Sequence, residues 1–156
     1  VVNEALQKMM HAKLTEVGGV KYTKKEQAFA EELYSSLDSP RLKLGSEQEI
    51  QPYTVSLGYG STDVGDVSYI VPEITLNAAT APYKSPWHSW VVVACGGMSI
   101  GHKGMLFAAK SLGTTMVDLF ENETLRKEIR AEFDKRKGNE VWKAMLPDGP
   151  PPVPKY

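Results

Sequence analysis

The chain has 156 residues, of which 42% are hydrophobic and 24% charged, and this composition is typical of a folded protein rather than a disordered one. Its formal net charge of -1 leaves no excess of lysine or arginine, so nucleic acid and anionic membrane surfaces are not expected as partners. The single cysteine, Cys95, excludes an internal disulfide and a zinc site made of several thiolates, and it favours a reducing compartment.

The sequence carries no pattern of a membrane-spanning or targeting segment. Its longest uninterrupted apolar run, residues 90–95, is far shorter than the roughly 20 residues that a membrane-spanning helix needs, and no signal-peptide pattern opens the chain. The expected compartment is therefore the cytoplasm. Because the sequence begins at Val1 without an initiator methionine, we expect it to start within a longer protein.

Two helices are predicted near the beginning of the chain. Asn3 is a suitable N-cap for the first helix, whose apolar residues recur at helical spacing, and Gly18-Gly19 is expected to end it. Thr23 and Glu26 form a capping-box pattern at the start of the second helix, and Pro40 lies just beyond its end.

The middle of the chain is predicted to be poor in helix. Residues 38–52 are polar and are interrupted by Pro40, Gly45, Ser46 and Pro52, which favours an exposed connection or a gate loop rather than a part of the core. Residues 53–57 and 73–79 have strand character, and they flank a glycine-rich loop at 58–65.

The second half of the chain is predicted to be mostly helical. The three valines at 91–93 are too few to form a helix by themselves. Ser99 is expected to cap a long helix that reaches Phe120. The small residues in the early turns of this helix allow it to approach a neighbour closely. Asn122 caps a further helix, which has a basic last turn and is followed by Gly138.

Several helices with only two or three strands predict an α/β fold in which the helices pack on an incomplete sheet. A sheet that narrow leaves apolar faces uncovered unless more strands join it, so residues 1–146 are interpreted as part of a larger domain. Residues 147–156 contain five prolines and are expected to form an extended or mobile tail.

Three segments contain residue types that are used in chemistry. In the loop at 58–68, backbone N–H groups could bind an anion and Asp63 could orient a metal ligand, but composition alone favours a tight turn with capping residues. His88 stands between Trp87 and Trp90, where an imidazole could bind a divalent metal. A lone histidine among apolar residues is more often part of the core, and no HxxxH, HxD or HExxH pattern accompanies it.

The third segment, residues 99–104, lies at a helix start where Lys103 could attract a carboxylate. We favour the simpler interpretation, in which the segment caps the helix and packs closely around Gly101 and Gly104. His11 is interpreted as a surface residue of the first helix.

Two long runs resemble a known family. GSTDVGDVSYIVP, at 60–72, and WHSWVVVACGGMSIGHKGMLFAAKSLGTTMVDLF, at 87–120, resemble the C-terminal region of dimetal amidohydrolases of the aminoacylase and glutamate carboxypeptidase family. The helices around YTKKEQAFAEEL also fit the family, and the resemblance weakens only at 38–52 and in the tail. It implies that residues 1–146 are the C-terminal part of a zinc-peptidase-like, three-layer catalytic domain.

The resemblance also implies an activity and its site. Family members hydrolyse the amide bond of N-acyl amino acids, p-aminobenzoyl-glutamate among them, with a divalent metal, zinc or manganese, and a glutamate general base. Most metal ligands and that glutamate belong to an N-terminal half that this chain lacks. His88 resembles the last metal ligand, and Gly60, Ser61, Thr62 and Asp63 resemble the substrate-binding loop.

Asp66 and His102 also match close relatives, but no role is assigned to them. The implied partners are the missing half of the catalytic domain, further subunits of a homo- or hetero-oligomer, and a small N-acyl amino acid. With one metal ligand and no general base, the isolated chain is expected to be inactive. Two alternatives remain open: a non-catalytic module for packing or subunit contact, and a small carboxylate-binding domain that uses the loop at 58–68.

Overall fold

A computed structural model describes residues 1–37, 44–55, 62–83, 85–146, 148–150 and 153. Within these ranges the regular structure is helical. The helices are α1 (Glu4–Val17), α2 (Lys24–Ser35), α3 (Val64–Ser68), α4 (Trp90–Gly96), α5 (Ser99–Glu121) and α6 (Glu123–Lys137), with a 3-10 turn at Ser46–Gln48. The long helix α5 packs against α1, α4 and α6, so it is the central element of the fold.

The predicted α/β fold is wrong, because the described residues contain no strand and no sheet. Residues 51–55 and 73–79 lack regular structure, and residues 56–57 lie outside the described ranges. Alternation of β-branched and polar residues favours an extended backbone, but a strand also needs a second extended segment for hydrogen bonding. Here the chain at 78–81 instead packs its alanines against the core between helices.

The valine run at 91–93 is part of the seven-residue helix α4, which the sequence analysis did not predict because the three valines are too few to form a helix by themselves. Val91 and Cys95, four residues apart, are both fully buried, whereas Trp90 and Val93 are exposed. Helical spacing therefore lets the segment bury one face against the core, which an isolated run of three valines does not reveal.

The predicted helix ends are largely confirmed. Asn3 caps α1, and Thr23 and Glu26 form the full capping box of α2. Asn122 caps α6, which ends at Gly138 in a positive-φ conformation. The N-cap of α5, however, is Met98 rather than Ser99, and it makes no side-chain capping bond.

The core lies where α5 and α4 meet α2 and the chain at 20–22. Its buried residues are Val20, Tyr22, Ala30, Leu33, Val91, Cys95, Ile100 and Phe107. Two glycines of α5 permit this close packing, as predicted. A Cβ at Gly101 would lie 2.5 Å from the Cys95 carbonyl oxygen, and one at Gly104 would lie 2.4 Å from that of Ala79.

The opposite side of α5 is apolar and exposed. This α5 outer face consists of Met105, Leu106, Leu112, Met116, Val117 and Phe120, which are between 43% and 79% exposed. Among the described helices none is by itself long and apolar enough to cross a membrane. Only α4 and α5 taken together, across a bend of 73°, pass such a test of length and composition.

Asn3 joins the first helix, α1, to the last helix, α6. It is 1% exposed, its Oδ1 accepts a hydrogen bond from the Leu6 N–H, and its Nδ2 donates to the Ile129 carbonyl. We expect Asn3→Ala to lower the free energy of unfolding by about 2 kcal/mol, because it removes both the cap of α1 and the buried hydrogen bond that joins α1 to α6. Asn122→Ala, at an exposed cap, should cost about 1 kcal/mol in the same urea titration. Equal losses would contradict the inter-helix role of Asn3.

Candidate functional site

The predicted substrate loop is described only in part. Gly60 and Ser61 lie outside the described residues, whereas Thr62 and Asp63 are both exposed. Thr62 Oγ1 accepts a hydrogen bond from the Val64 N–H, which fixes the turn before α3. Asp63 occupies the N-cap position of α3, but its carboxylate makes no capping bond. The Asp63 side chain is therefore not used by the helix that it precedes.

Asp66 lies within α3 and is also exposed. Ser68, at the end of the short helix, is buried, and its Oγ donates to the Gly65 carbonyl of the same helix at 2.6 Å. The segment thus presents Asp63 and Asp66 at the surface and buries Ser68.

His88 is exposed and has a backbone φ of 58°, the only positive φ of a non-glycine residue in the described part of the chain. This conformation costs an L-residue about 1 kcal/mol, because the Cβ crowds the backbone. Residues held in such conformations are often found at functional sites. The position of His88 is therefore compatible with the predicted role, but it does not by itself identify a ligand.

The start of α4 determines where His88 lies. Ser89 precedes α4 in an extended conformation, and its Oγ donates to the Pro86 carbonyl at 2.5 Å, which closes a tight turn around His88. Trp87 and Trp90 are 74% and 56% exposed. The turn thus places the exposed imidazole next to two accessible aromatic side chains.

The segment at 99–104 has a structural role, and the predicted close packing around Gly101 and Gly104 is confirmed, whereas the predicted capping by Ser99 is wrong. Lys103 Nζ donates to Glu26 Oε2 at 2.6 Å and to the Lys21 carbonyl at 2.8 Å, so its charge is used inside the chain. Burial raises the pKa of Glu26, but hydrogen bonds from Lys103, Ser99 and Thr23 outweigh it and lower that pKa to about 2. His102 is exposed one residue before Lys103 and does not join this cluster.

The described residues do not form a metal site by themselves. Nowhere in the described ranges do three histidine, cysteine, aspartate or glutamate side chains converge as metal ligands would. His88 could supply one ligand, whereas a catalytic zinc normally takes about three from the protein. Any further ligands would have to come from outside the described residues.

A groove of about 810 Å³ lies between α1 and the irregular segments around residues 50 and 78. His11 and Tyr53 meet edge to face on its wall, with ring centroids 6.0 Å apart, and His11 Nε2 lies 3.0 Å from the Gln51 carbonyl oxygen. Trp87 reaches the rim, so the groove adjoins the turn that carries His88. The sequence analysis did not predict this groove.

Glu47 lines the groove and is 6% exposed. The prediction that residues 38–52 are an exposed connection is thus wrong for part of the segment, since Leu44 and Ile50 also pack against the core. The cause is a close contact at Gly19, where a Cβ would lie 2.3 Å from the Gln48 carbonyl oxygen. The polar composition of the segment gave no sign of this contact, because it joins residues far apart in sequence.

Comparisons with known proteins bear on the predicted resemblance. No family model matches the chain, and no solved structure matches it. The chain is similar to a subunit of p-aminobenzoyl-glutamate hydrolase from Escherichia coli (strain K12), with 29% identity over 177 residues that cover 97% of the chain. The chain spans only 37% of the length of that relative. The predicted resemblance to this hydrolase is therefore confirmed over nearly the whole chain.

Proposed function

We propose that the chain is part of an enzyme that hydrolyses the amide bond of an N-acyl amino acid, with p-aminobenzoyl-glutamate as the first substrate to test. The observation that carries the proposal is the similarity to the p-aminobenzoyl-glutamate hydrolase of Escherichia coli along 97% of the chain. Because the chain spans 37% of that relative, we assign the general base and most metal ligands to polypeptide outside it.

The α5 outer face supports this assignment. Six large apolar side chains lie side by side on one helix and are exposed to water. Contiguous apolar surfaces of this kind mark sites that another protein surface covers. We infer that the remaining part of the enzyme, or a partner subunit, packs on α5.

In this proposal His88 supplies one ligand to a divalent metal, zinc or manganese. An accessible imidazole on a turn of defined backbone conformation suits that role, because the turn limits where the side chain can reach. The metal, when bound, would supply Lewis-acid activation of the scissile amide carbonyl. The aromatic rings of Trp87 and Trp90 would shape the surface next to it.

Thr62 and Asp63, together with Gly60 and Ser61, are proposed to bind the substrate. The Asp63 carboxylate is exposed and does not cap α3, so it can accept a hydrogen bond from a substrate N–H group or orient a neighbouring metal ligand. The burial of Ser68 at the other end of α3 would help to keep this carboxylate in place.

Replacement of His88 tests the proposal. In the complete enzyme, His88→Gly should reduce the bound metal and lower the rate of p-aminobenzoyl-glutamate hydrolysis at least tenfold, since a ligand is removed. Its thermal stability without metal should change by less than about 1 kcal/mol, because glycine adopts a φ of 58° without strain. Metal analysis, a hydrolysis assay and calorimetric melting would measure the three quantities.

His11→Ala provides the control, because it also removes an imidazole but from the wall of the groove. It should leave the metal content unchanged. A His88→Gly enzyme with normal metal content and turnover would contradict the proposed role and favour a non-catalytic packing module.

A further inference from the structure

The Glu47 side chain is buried, and one of its two carboxylate oxygens has no hydrogen-bond donor among the described residues. Oε2 accepts a hydrogen bond from the Gly45 N–H at 2.8 Å, whereas Oε1 has no hydrogen-bond partner within the described part of the chain. Burying a charged oxygen without a partner is costly, and proteins usually avoid it. The Ser46 hydroxyl, also on the groove wall, is likewise buried without a partner among the described residues.

The groove around Glu47 is acidic. Among the described residues that line it, the formal charges belong to Glu47 and Glu49, and neither lysine nor arginine is present. Burial raises the pKa of Tyr22 and of Tyr34, and the negative charge of Glu47 raises both further. The field around the Glu47 carboxylate therefore favours a positive charge.

The rest of the wall is apolar and aromatic. Tyr53, Tyr83, Trp87 and Phe107 line the groove, together with Met10, Leu14, Ile50 and Leu76. Aromatic rings attract organic cations through the negative potential of their faces, in addition to the contact area that they bury. A buried carboxylate inside an aromatic groove is thus complementary to a ligand that has a cationic nitrogen and an apolar body.

We propose that this groove binds a small organic ammonium ion, whose positive charge pairs with the Glu47 carboxylate and whose apolar part lies against the aromatic wall. The site differs in charge from the one proposed for hydrolysis, which accepts an anionic N-acyl amino acid. The inference does not depend on His88 or on a metal, so it can fail while the proposed function holds.

Calorimetric titration of the 156-residue chain with benzylamine, benzyl alcohol and benzoate tests the proposal. These probes share one ring but carry a cationic, a neutral and an anionic head. Benzylamine is expected to bind at least tenfold more tightly than benzyl alcohol, and benzoate should not bind detectably. Equal affinity for the amine and the alcohol, or no binding of the amine, would overturn the proposal without any need for a variant.

Two matched variants locate the binding site. Glu47→Gln should weaken benzylamine binding at least tenfold and leave benzyl alcohol unaffected. Glu49→Gln removes the same charge from an exposed position of the same groove and should weaken binding less than threefold. Similar losses in the two variants would mean that general attraction, and not Glu47, holds the amine.

A basic side chain of the chain itself is the competing source of a cation. Arg41 and Lys43 lie outside the described residues and close to Glu47 in sequence. The double variant Arg41→Gln/Lys43→Gln should bind benzylamine as the unmodified chain does. Binding that appears only in this variant would show that the chain fills its own groove, and it would overturn the proposal.

Discussion

Gly104→Ala is expected to lower the free energy of unfolding by about 3 kcal/mol, because a Cβ at this position would overlap backbone atoms rather than a movable side chain. That Cβ would lie 2.4 Å from the Ala79 carbonyl oxygen and 2.8 Å from its carbon. To relieve this overlap, α5 would have to move away from the chain at 78–81. That movement would separate the surfaces that α5 and this segment bury against each other. Urea titration followed by circular dichroism measures the loss.

Gly113→Ala is the matched control on the same helix. A Cβ there meets nothing within 4 Å, and alanine is a better helix former than glycine, so a gain of about 1 kcal/mol is expected. Opposite signs for the two substitutions would establish that close packing, and not helix propensity, governs Gly104. A loss at Gly104 below about 0.5 kcal/mol would contradict the packing shown by the structure.

The close approach at Gly104 also shows how much of the packing can be predicted from the sequence. The small residues at the start of α5 correctly predict that a neighbour comes near Gly101 and Gly104, although Gly113 of the same helix has no such neighbour. They do not predict which neighbour it is. The structure places an irregular segment there, and only the complete set of packing contacts determines that choice.

Helix ends are predictable because their signals are local. The capping box of Thr23 and Glu26 joins residues three apart, and both partners are visible in the sequence. The predicted sheet, which the described residues do not contain, was wrong for the opposite reason: residues 73–79 have strand character, but a strand requires a distant partner. The burial of Glu47 was missed for the same reason, as it depends on a contact between Gln48 and Gly19.

In the candidate site, too, local sequence patterns were predictable and the backbone conformation was not. The runs around Asp63 and His88 predicted the resemblance that the comparison confirms, but no local pattern indicated the positive φ of His88. That conformation follows from the turn that Ser89 closes with Pro86, together with the burial of Val91 in α4. The chemical roles of Asp63 and His88 remain predictions that the variants above test.

Lys103→Met is expected to lower the free energy of unfolding by about 3 kcal/mol at pH 7, because it leaves the Glu26 carboxylate buried without its cation. The Glu26 side chain is 8% exposed and accepts from Lys103 Nζ at 2.6 Å. The same carboxylate accepts from the Thr23 N–H in the capping box, so the loss should reach the start of α2. Lys110→Met, at an exposed position of α5, should change stability by less than about 0.5 kcal/mol.

The pH dependence of stability separates this ion pair from a simple packing effect. The pKa of Glu26 is about 2 in the folded chain, against an ordinary value of 4.5. Because the folded value is the lower one, the stabilisation is present above pH 4.5 and is lost as the pH falls towards 2, by about 3 kcal/mol in total. Urea titrations between pH 2 and 7 should show this slope in the unmodified chain and a weaker slope in Lys103→Met. An unchanged slope in the variant would mean that the hydrogen bonds from Thr23 and Ser99 alone hold the pKa of Glu26 low.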